Sequence, residues 1–307
     1  MSAGTGELLT SPGAVGIGAN DIGVVVVSHE SAGTIGECLQ RLLAARDVFR
    51  IVVIDNASSD ATVAIVRELC ARDERLSLVV NADNVGFAAA CNQGATAFAQ
   101  PWIAFVNPDC YVERDTLSRL VRHARERPGA GLLGVEMVDE AGVVDPNSRR
   151  SDPSLADLLL RFGRRDDLYL GRDPALALQL VDAVSGALML LPTGLFLRLG
   201  GFDEGYRLHV EDLDLCRRVR DGGYEVLVAN DLRVVHVNGV SSRRRPLRVS
   251  WHKHRGMWRY FRKFEAPRGR SWTAPAVWVA LWLHFLLGAP GLLWRARRER
   301  AQRGAAP

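Results

Sequence analysis

The sequence predicts an α/β protein, with a mostly parallel central sheet flanked by helices and followed by a helical C-terminal region. Short β-branched runs alternate with amphipathic stretches through the first half of the chain, and a long apolar segment with basic flanks lies near its end. Of the 307 residues, 48% are hydrophobic and 24% are charged. This composition excludes a disordered chain and a polytopic membrane protein. The length suits one large domain or two small ones.

The elements of the first half follow one another as strand and helix. Ile22–Ser28 is a continuous β-branched run, which is typical of a strand buried on both faces. Thr34–Arg46 places its apolar residues on one helical stripe. The same alternation continues and predicts βαβ units. The further strands are Ile51–Ile54, Leu76–Val80 and Trp102–Val106, and the further helices are Ala61–Cys70, with Ser59 or Asp60 as its cap, and Gly86–Phe98.

Polar residues follow each of the four predicted strands. Ligands of such sheets bind beyond the C-terminal ends of the strands, so these clusters form the candidate site. Turn chemistry alone is the alternative for any single cluster. No GxGxxG motif follows the first strand, which disfavours a dinucleotide site. The clusters are Ser28-His29-Glu30, Asp55 to Asp60, Asn84 to Ala88 with Asn92 and Gly94, and Asn107-Pro108-Asp109.

These motifs resemble those of the family 2 glycosyltransferases, and within them the bacterial rhamnosyltransferase and galactofuranosyltransferase branch. The matching stretches run in the family's order from Val24 to about Ser242: VVVVSHES, VVIDNASSDAT, NADNVGFAAACNQG, FVNPDC, SGALMLLPTGLFLRLGGFDEGYRLHVEDLDLCRRVRDGGYEV and VVHVNGVSS. The resemblance implies the GT-A fold of nucleotide-diphospho-sugar transferases, transfer of a sugar with inversion, and a divalent metal, Mg²⁺ or Mn²⁺.

The resemblance also implies which residues bind the nucleotide-sugar donor. Asp55 stands where the family has its nucleobase- and ribose-binding acid, and Ser28 and Glu30 line the same pocket. A helix-entry turn residue is the alternative for Asp55. The donor-binding loop is Asn84, Gly86, Phe87 and Asn92, in which the glycine lets the backbone approach the nucleotide, although a helix-capping turn would have the same pattern.

The tripeptide Asn107-Pro108-Asp109 occupies the position of the family's DxD motif. Asn107 replaces the first Asp, so only Asp109 offers a charged oxygen to the metal that neutralises the departing diphosphate. His236 is the second predicted metal ligand, because galactofuranosyl relatives place a metal-binding His at this motif position. A structural histidine is the alternative. An imidazole ligand would favour Mn²⁺ over Mg²⁺.

Glu211-Asp212 corresponds to the family's ED motif. An inverting displacement needs one carboxylate to take the proton from the acceptor hydroxyl, and the resemblance assigns this role to Asp212. Glu211 orients the site or contacts the acceptor; an acidic first helical turn is the alternative, mainly for Glu211. The acceptor side is predicted to comprise Ser185, Gly186 and an Arg-rich flap with Arg149, Arg150, Arg164 and Arg165. A solvated loop is the alternative for the flap.

The C-terminal region is strongly basic. From Arg233 onward there are seventeen Lys and Arg and two acidic residues, a local charge of +15, while the preceding residues sum to −11. Ala274–Trp294 contains no formally charged residue and is Trp-rich, and about 21 helical residues would cover the ~30 Å core of a bilayer. We expect the sequence 288–291 (GAPG) to break this helix.

Four interpretations of this region differ in their partner. An interfacial or re-entrant segment on an anionic membrane surface is favoured, and a single span or a buried packing helix are the alternatives. Nucleic acid is disfavoured because the basic run contains no recognisable reading motif. The five cysteines are odd in number and form no CxxC pair, and residues 1–20 show no secretory signal, so we expect free thiols in the cytoplasm.

Taken together, the sequence predicts a disordered lead at residues 1–20, a GT-A domain at 21–242 and a basic helical region at 243–307 with its membrane-associating segment at 274–294. The predicted reaction transfers L-rhamnose from dTDP-rhamnose to a polyprenyl-diphosphate-linked cell-envelope glycan precursor, at the inner face of the cell membrane. UDP-galactofuranose, UDP-glucose or UDP-GlcNAc are alternative donors, and a catalytically silent nucleotide- or glycan-binding module is the alternative of another class. Whether the chain forms a homo-oligomer is left open.

Overall fold

A computed structural model describes residues 21–152, 169–237 and 246–304. Its centre is one nine-stranded sheet of order β3-β2-β1-β4-β8-β6-β9-β5, with β7 paired to β9 beside this path. The strands are β1 Ile22–Ser28, β2 Val48–Asp55, β3 Leu76–Val80, β4 Trp102–Val106, β5 Cys110–Tyr111, β6 Ala130–Val138, β7 Leu178–Leu180, β8 Leu188–Pro192 and β9 Glu225–His236.

The sheet is mostly parallel, as predicted, but its second half is mixed. The pairings make β1, β2, β3, β4, β6 and β9 run in one direction, and they make β5, β7 and β8 run against it. The antiparallel β8 lies between β4 and β6. All six parallel strands therefore end at the same edge of the sheet, where β8 begins.

Helices cover both faces of the sheet. One apolar cluster joins the sheet to α1, α2 and α4, and the other joins it to α3, α5, α6 and the end of α7. β-branched residues line both faces of β1, which is buried along its whole length. The helices are α1 Ile35–Ala44, α2 Thr62–Cys70, α3 Phe87–Ala95, α4 Thr116–Glu126, α5 Thr193–Arg198, α6 Glu211–Asp221, α7 Pro246–Tyr260 and α8 Ala274–Gly304.

The helices predicted in the first half are confirmed with small shifts at their ends. Asp60 rather than Ser59 stabilises the start of α2, because its Oδ1 accepts hydrogen bonds from the backbone N–H of Thr62 at 3.0 Å and from the Thr62 hydroxyl at 2.5 Å. All five cysteines are free thiols, as predicted. Residues 1–20, and the boundary predicted at 242, lie outside the described residues.

The C-terminal part of the chain forms a helical hairpin of α7 and α8, joined through a π-helical turn at Phe261–Glu265. Phe261, Val277 and Leu281 form its buried apolar contact. The prediction of a break at residues 288–291 is wrong, since α8 continues through Pro290. A proline removes one backbone hydrogen bond, and here the helical residues on both sides of it keep the helix continuous.

Most of the part of α8 whose side chains are described, residues 274–294, is exposed. Within the described residues, 271–294 is one stretch of 24 residues long and apolar enough to cross a membrane by length and composition, and 11% of its apolar window is buried. This exposure argues against the buried packing helix. The large apolar side chains open to the surface include Trp272, Trp278, Val279, Leu283, Leu286, Leu287, Leu293 and Trp294.

Candidate active site

The four predicted polar clusters lie along one edge of the sheet. Ser28 at the end of β1 pairs with Asp55 at the end of β2. β4 ends beside β1, and the backbone N–H of Asn107, which follows β4, donates to the carbonyl oxygen of Ala187 at 2.8 Å. His236 at the end of β9 pairs with Cys110. This register brings the residues at the ends of β1, β2, β4 and β9 to one continuous rim.

Asp55 lies beneath this rim rather than in the open. Its side chain is fully buried, and both carboxylate oxygens accept hydrogen bonds: Oδ1 from the hydroxyls of Ser28 at 2.9 Å and Ser58 at 2.6 Å, and Oδ2 from the Ser58 N–H at 2.8 Å. Asp55 and Ser28 therefore form the floor that holds the turn after β2. The predicted direct contact of these two side chains with the nucleotide is not supported by this geometry, because neither is accessible.

Glu30 lies closer to the surface than Asp55. Its Oε1 accepts from the backbone N–H of Ser59 at 2.6 Å and from the Ser59 hydroxyl at 2.8 Å. These hydrogen bonds lower the pKa of Glu30 below its ordinary value, so that this carboxylate is ionised at neutral pH. The backbone of Glu30 is left-handed, with φ 55°. Glu30 is the predicted donor-side acid that reaches the rim.

The predicted donor loop is tied to the chain that precedes α6. Gly86 has φ +96°, and a Cβ there would lie 2.8 Å from the carbonyl oxygen of Arg207. The Arg207 guanidinium donates to the carbonyl oxygen of Asn84 at 2.6 Å, and the Phe87 ring packs against Phe202. Gly86 is thus required by a close approach of two protein segments. The sequence predicted a close approach to a ligand.

Asn92, which the sequence predicts to bind the donor, forms hydrogen bonds to the loop before α6. Its Nδ2 donates to the carbonyl oxygen of Phe202 and to Glu204 Oε1, both at 2.9 Å, and its Oδ1 accepts from the Phe202 N–H at 2.8 Å. Because both donor hydrogens and one acceptor position are used, Asn92 clamps α3 to the loop before α6.

Asp109 and His236 come together as the sequence predicted. Asp109 Oδ1 lies 3.3 Å from His236 Nε2, and these atoms lie within 4.8 Å of the Cys110 thiol. Burial alone would lower the pKa of His236, but the hydrogen bond and charge of Asp109 outweigh it and raise this pKa. Burial raises the pKa of Cys110 well above its ordinary value, so Cys110 stays a thiol.

The donor set at this pair suits a divalent cation. It contributes one carboxylate oxygen and one imidazole, and the Nδ1 atom of His236 is buried with no hydrogen-bond partner among the described residues. The Asp109 side chain is 18% exposed, and this opening leaves room for further oxygen ligands, such as those of a diphosphate.

Asp212 occupies the start of α6 and is held from three sides. Its Oδ2 accepts from the Arg150 guanidinium at 2.5 Å and from the Gly186 N–H at 3.2 Å, and its Oδ1 accepts from the Leu213 N–H at 2.9 Å. Burial would raise the pKa of Asp212, but the charge and hydrogen bond of Arg150 outweigh it, so this pKa lies below its ordinary value. Asp212 is therefore ionised at neutral pH, with one lone-pair position of Oδ1 left for a proton.

The pKa of Glu211 is shifted in the direction opposite to that of Asp212. Its side chain is 6% exposed, and Oε2 has no hydrogen-bond partner among the described residues. Burial and the adjacent negative charge of Asp212 raise the pKa of Glu211 well above its ordinary value. Two neighbouring carboxyl groups with pKa values displaced in opposite directions are typical of an acid and base pair.

The turn before α6 is strained. His209 and Val210 both have left-handed backbones, with φ 65° and 76°. Such conformations cost about 1–3 kcal/mol each and persist where the surrounding structure imposes them. Burial lowers the pKa of His209 to about 4, so its imidazole is neutral. Sequence reasoning missed this histidine, although it lies two residues before the recognised Glu211-Asp212 motif.

The predicted acceptor residues divide into two groups. Gly186 lies against Asp212, where a Cβ would be 3.2 Å from the Cβ of Asp212, and Ser185 precedes it. Arg150 lies on Asp212. The structure does not place Arg149 on the predicted acceptor side. Its side chain is 3% exposed and forms a buried ion pair with Glu136 at 2.8 Å, so it cannot contact an acceptor. Arg164 and Arg165 lie outside the described residues.

Known proteins share this sequence pattern. Residues 23–176 match the model of the family described as Glycosyl transferase family 2. Rhamnosyltransferase WbbL from Escherichia coli (strain K12) is 25% identical over 222 residues, which cover 69% of this chain and 82% of that protein. The N-acetylglucosaminyl-diphospho-decaprenol L-rhamnosyltransferase of Mycobacterium tuberculosis is 26% identical over 307 aligned positions, covering 90% of this chain and 95% of that protein.

Solved structures share the fold. The mannosyltransferase PcManGT from Pyrobaculum calidifontis, in complex with GDP-Man and Mn²⁺, has a TM-score of 0.57 at 21% identity, covering 94% of this chain and 76% of that one. S. aureus TarS 1-349 has a TM-score of 0.54 at 18% identity, covering 88% and 81%. These likenesses establish the GT-A fold.

Proposed function

Because this chain belongs to glycosyl transferase family 2, we propose that it transfers L-rhamnose from dTDP-rhamnose, with inversion, to a polyprenyl-diphosphate-linked glycan precursor of the cell envelope. The two rhamnosyltransferase relatives support the choice of sugar, and the M. tuberculosis relative, named for a decaprenol-linked acceptor and aligned over most of both chains, supports a lipid-linked acceptor. The observation that carries the proposal is the geometry of Asp212 at the rim of the sheet, where the Arg150 guanidinium and the N–H groups of Gly186 and Leu213 hold its carboxylate beside Glu211.

Asp212 is the proposed general base. It accepts the proton of the acceptor hydroxyl while that oxygen forms its bond to the anomeric carbon. The bond from this carbon to the diphosphate oxygen breaks on the opposite face, and its electron pair leaves with the nucleoside diphosphate. Arg150 keeps Asp212 ionised, and the N–H groups of Gly186 and Leu213 fix the orientation of its carboxylate.

Glu211 has a different proposed role. A buried protonated carboxyl can donate a hydrogen bond to a substrate oxygen without adding a second negative charge near the base. Its Oε2 is buried and has no hydrogen-bond partner among the described residues, so a substrate oxygen that reached this position would satisfy it.

Asp109 and His236 are the proposed metal-holding residues. A divalent cation there, Mn²⁺ or Mg²⁺, would stabilise the charge of the departing diphosphate. The imidazole favours Mn²⁺. Glu30 and the loop of Asn84, Gly86 and Phe87 are placed along the same rim, where the nucleoside of the donor would bind.

The hairpin of α7 and α8 is the proposed membrane contact. Its exposed apolar side chains and the local charge of +15 from Arg233 onward complement the interior and the anionic surface of a bilayer. The enzyme would then be cytoplasmic and peripherally associated with the inner face of the cell membrane, where a lipid-linked acceptor is accessible.

A donor panel tests the proposal. dTDP-rhamnose, UDP-galactofuranose, UDP-glucose and UDP-GlcNAc would each be incubated with the full chain, Mn²⁺ and decaprenyl-diphosphate-linked N-acetylglucosamine in detergent, and release of nucleoside diphosphate would be measured. We expect turnover of dTDP-rhamnose that Asp212→Asn abolishes. Turnover of a UDP-sugar alone would refute the rhamnose assignment, and donor binding without turnover of any sugar would favour a catalytically silent module.

A further inference from the structure

The strained turn before α6 lies against α7. Gly256 of α7 faces it: a Cβ on this residue would be 3.0 Å from Val210 Cγ2 and 3.2 Å from the carbonyl oxygen of His209. Val210 immediately precedes the two catalytic-pair carboxyls. α7 therefore packs against His209 and Val210, and this contact helps to keep both residues in their left-handed conformation.

A second contact reaches α6 from the π-helical turn after α7. Lys263 Nζ lies 2.7 Å from Asp214 Oδ2 and 2.8 Å from Asp203 Oδ2. Asp214 is fully buried, and Arg218 of α6 donates to its other oxygen at 2.5 Å. Buried carboxylates require such partners. Lys263 and Arg218 are thus the two cations that pair with Asp214, and the Asp214 carboxylate lies within one helical turn of Asp212.

Further contacts join the hairpin to both ends of this region. Arg259 donates to Asp203 through two nitrogens, at 2.7 Å from Nη2 and 3.2 Å from Nε. The hydroxyl of Tyr260 donates to Asp152, whose Oδ2 also accepts from Arg217 of α6 at 2.6 Å. The hairpin is consequently attached to the loop before α6, to the strained turn of His209 and Val210, which we call the catalytic turn, and to α6 itself.

The same hairpin carries the exposed apolar surface of α8. Trp251 of α7 packs on Trp282 of α8 with ring centroids 4.4 Å apart, and His254 and His284 are hydrogen-bonded at 2.9 Å. α8 is therefore packed on α7, which in turn contacts the turn of His209 and Val210.

We propose that the α7–α8 hairpin is a positioning element of the catalytic turn, in which Gly256 and Lys263 couple the binding of α8 to a lipid bilayer to the placement of Glu211 and Asp212. The inference rests on the proposed function for the roles of these two carboxyls. Membrane binding then raises turnover at a given acceptor concentration, and a hairpin that is present but displaced lowers turnover without weakening donor binding.

Gly256→Ala separates this role from stability. Alanine increases the intrinsic helix propensity of α7, while its Cβ displaces Val210. We expect kcat to fall about tenfold, and further for Gly256→Val, since a misplacement of about 1 Å can cost up to about 100-fold, with the donor KM within about twofold of wild type. Gly194→Ala, where the nearest atom is a flexible Arg198 nitrogen at 3.5 Å, is the matched control. An unchanged kcat in folded Gly256→Val would overturn the proposal.

Lys263 offers a test by conservative rescue. Lys263→Met removes the cation from Asp214, and Lys263→Arg retains it. We expect Lys263→Met to lower kcat with little change in donor KM, and Lys263→Arg to recover most of the loss. Equal losses in the two variants, with equal thermal stability, would show that the charge on Asp214 does not position the turn.

Hydrogen exchange tests the coupling independently of the sugar. The amides of residues 207–214 would be followed in the full chain, with and without vesicles of phosphatidylcholine and phosphatidylglycerol in a 7:3 ratio. We expect slower exchange on vesicles in wild type, and no difference between the two conditions in Gly256→Val that still binds vesicles. Wild-type protein that binds vesicles without a change at 207–214 would overturn the coupling. Failure of every donor in turnover assays would instead count against the proposed function.

Discussion

Replacing Arg150 by methionine removes the cation that lies on the proposed general base. The Arg150 Nη2 atom is 2.5 Å from Asp212 Oδ2, and the two side chains are 15% and 14% exposed. In the variant, Asp212 retains the N–H groups of Gly186 and Leu213, and it still lies beside Glu211. Burial then dominates, so the pKa of Asp212 rises.

The size of this effect follows from the burial of the pair. A neighbouring arginine displaces the pKa of an aspartate by about one to three pH units, and one unit corresponds to about 1.4 kcal/mol. Breaking one side of a buried ion pair costs about 3–5 kcal/mol, which agrees with this range. Because the folded-state pKa of Asp212 is lowered in wild type, the stability difference is complete at neutral pH and shrinks as the pH falls through the pKa of Asp212.

The assay is the pH dependence of kcat/KM, together with urea unfolding at pH 7. We expect the acid limb of the Arg150→Met profile to move to higher pH by about one to three units. Arg149→Met is the control, since it breaks a more deeply buried ion pair with Glu136, whose side chains are 3% and 0% exposed, that lies away from Asp212. The Arg149→Met variant should have a lower free energy of unfolding, while the acid limb of its kcat/KM profile stays at the wild-type pH. An Arg150→Met enzyme whose acid limb coincides with that of wild type would show that Arg150 does not set the pKa of Asp212.

Three further predictions follow from the site. Glu211→Gln replaces a carboxyl that is already protonated, so kcat should fall less than about tenfold, whereas Asp212→Asn should lose at least about 100-fold; similar losses in single-turnover rates would contradict the assignment. His236→Ala should raise the Kd for Mn²⁺ at least about tenfold, or 1.4 kcal/mol, in calorimetry, and unchanged affinity would exclude His236 as a ligand. Gly86→Ala should lower the free energy of unfolding by about 1–3 kcal/mol in urea, because φ is +96° and the Arg207 carbonyl blocks a Cβ, whereas Gly33→Ala, which has no neighbour within 4 Å, should not.

Much of the site could be predicted from the sequence because its parts are local. A β-branched run, a polar turn and an amphipathic helix each have a period or a composition that needs no distant partner. Once four strands are recognised as parallel, their polar ends must meet at one edge. The pairing of Asp109 with His236 also followed from the resemblance of both motifs to one family.

The roles of several side chains could not be read in this way. Asn92 belongs to a motif that resembles the donor-binding loop of the family, yet its hydrogen-bond partners lie in a loop about 110 residues later. Arg149 and Arg150 are adjacent in the sequence, but Arg149 forms a buried structural ion pair with Glu136, and Arg150 pairs with Asp212, the proposed general base. Adjacent residues of an extended segment point to opposite sides, and only the surrounding elements determine what each side meets.

The alternation of strands and helices, the edge on which the polar residues gather and the apolar character of α8 can be read from the sequence alone, because they depend on short-range periodicity and burial. The tertiary structure decided three things: that the antiparallel β8 lies between β4 and β6, that α8 continues through Pro290, and that α7 packs on the catalytic turn. The first and the third depend on contacts between residues distant along the chain, which no single segment encodes, whereas the second concerns an exposed stretch whose helical neighbours continue through the proline.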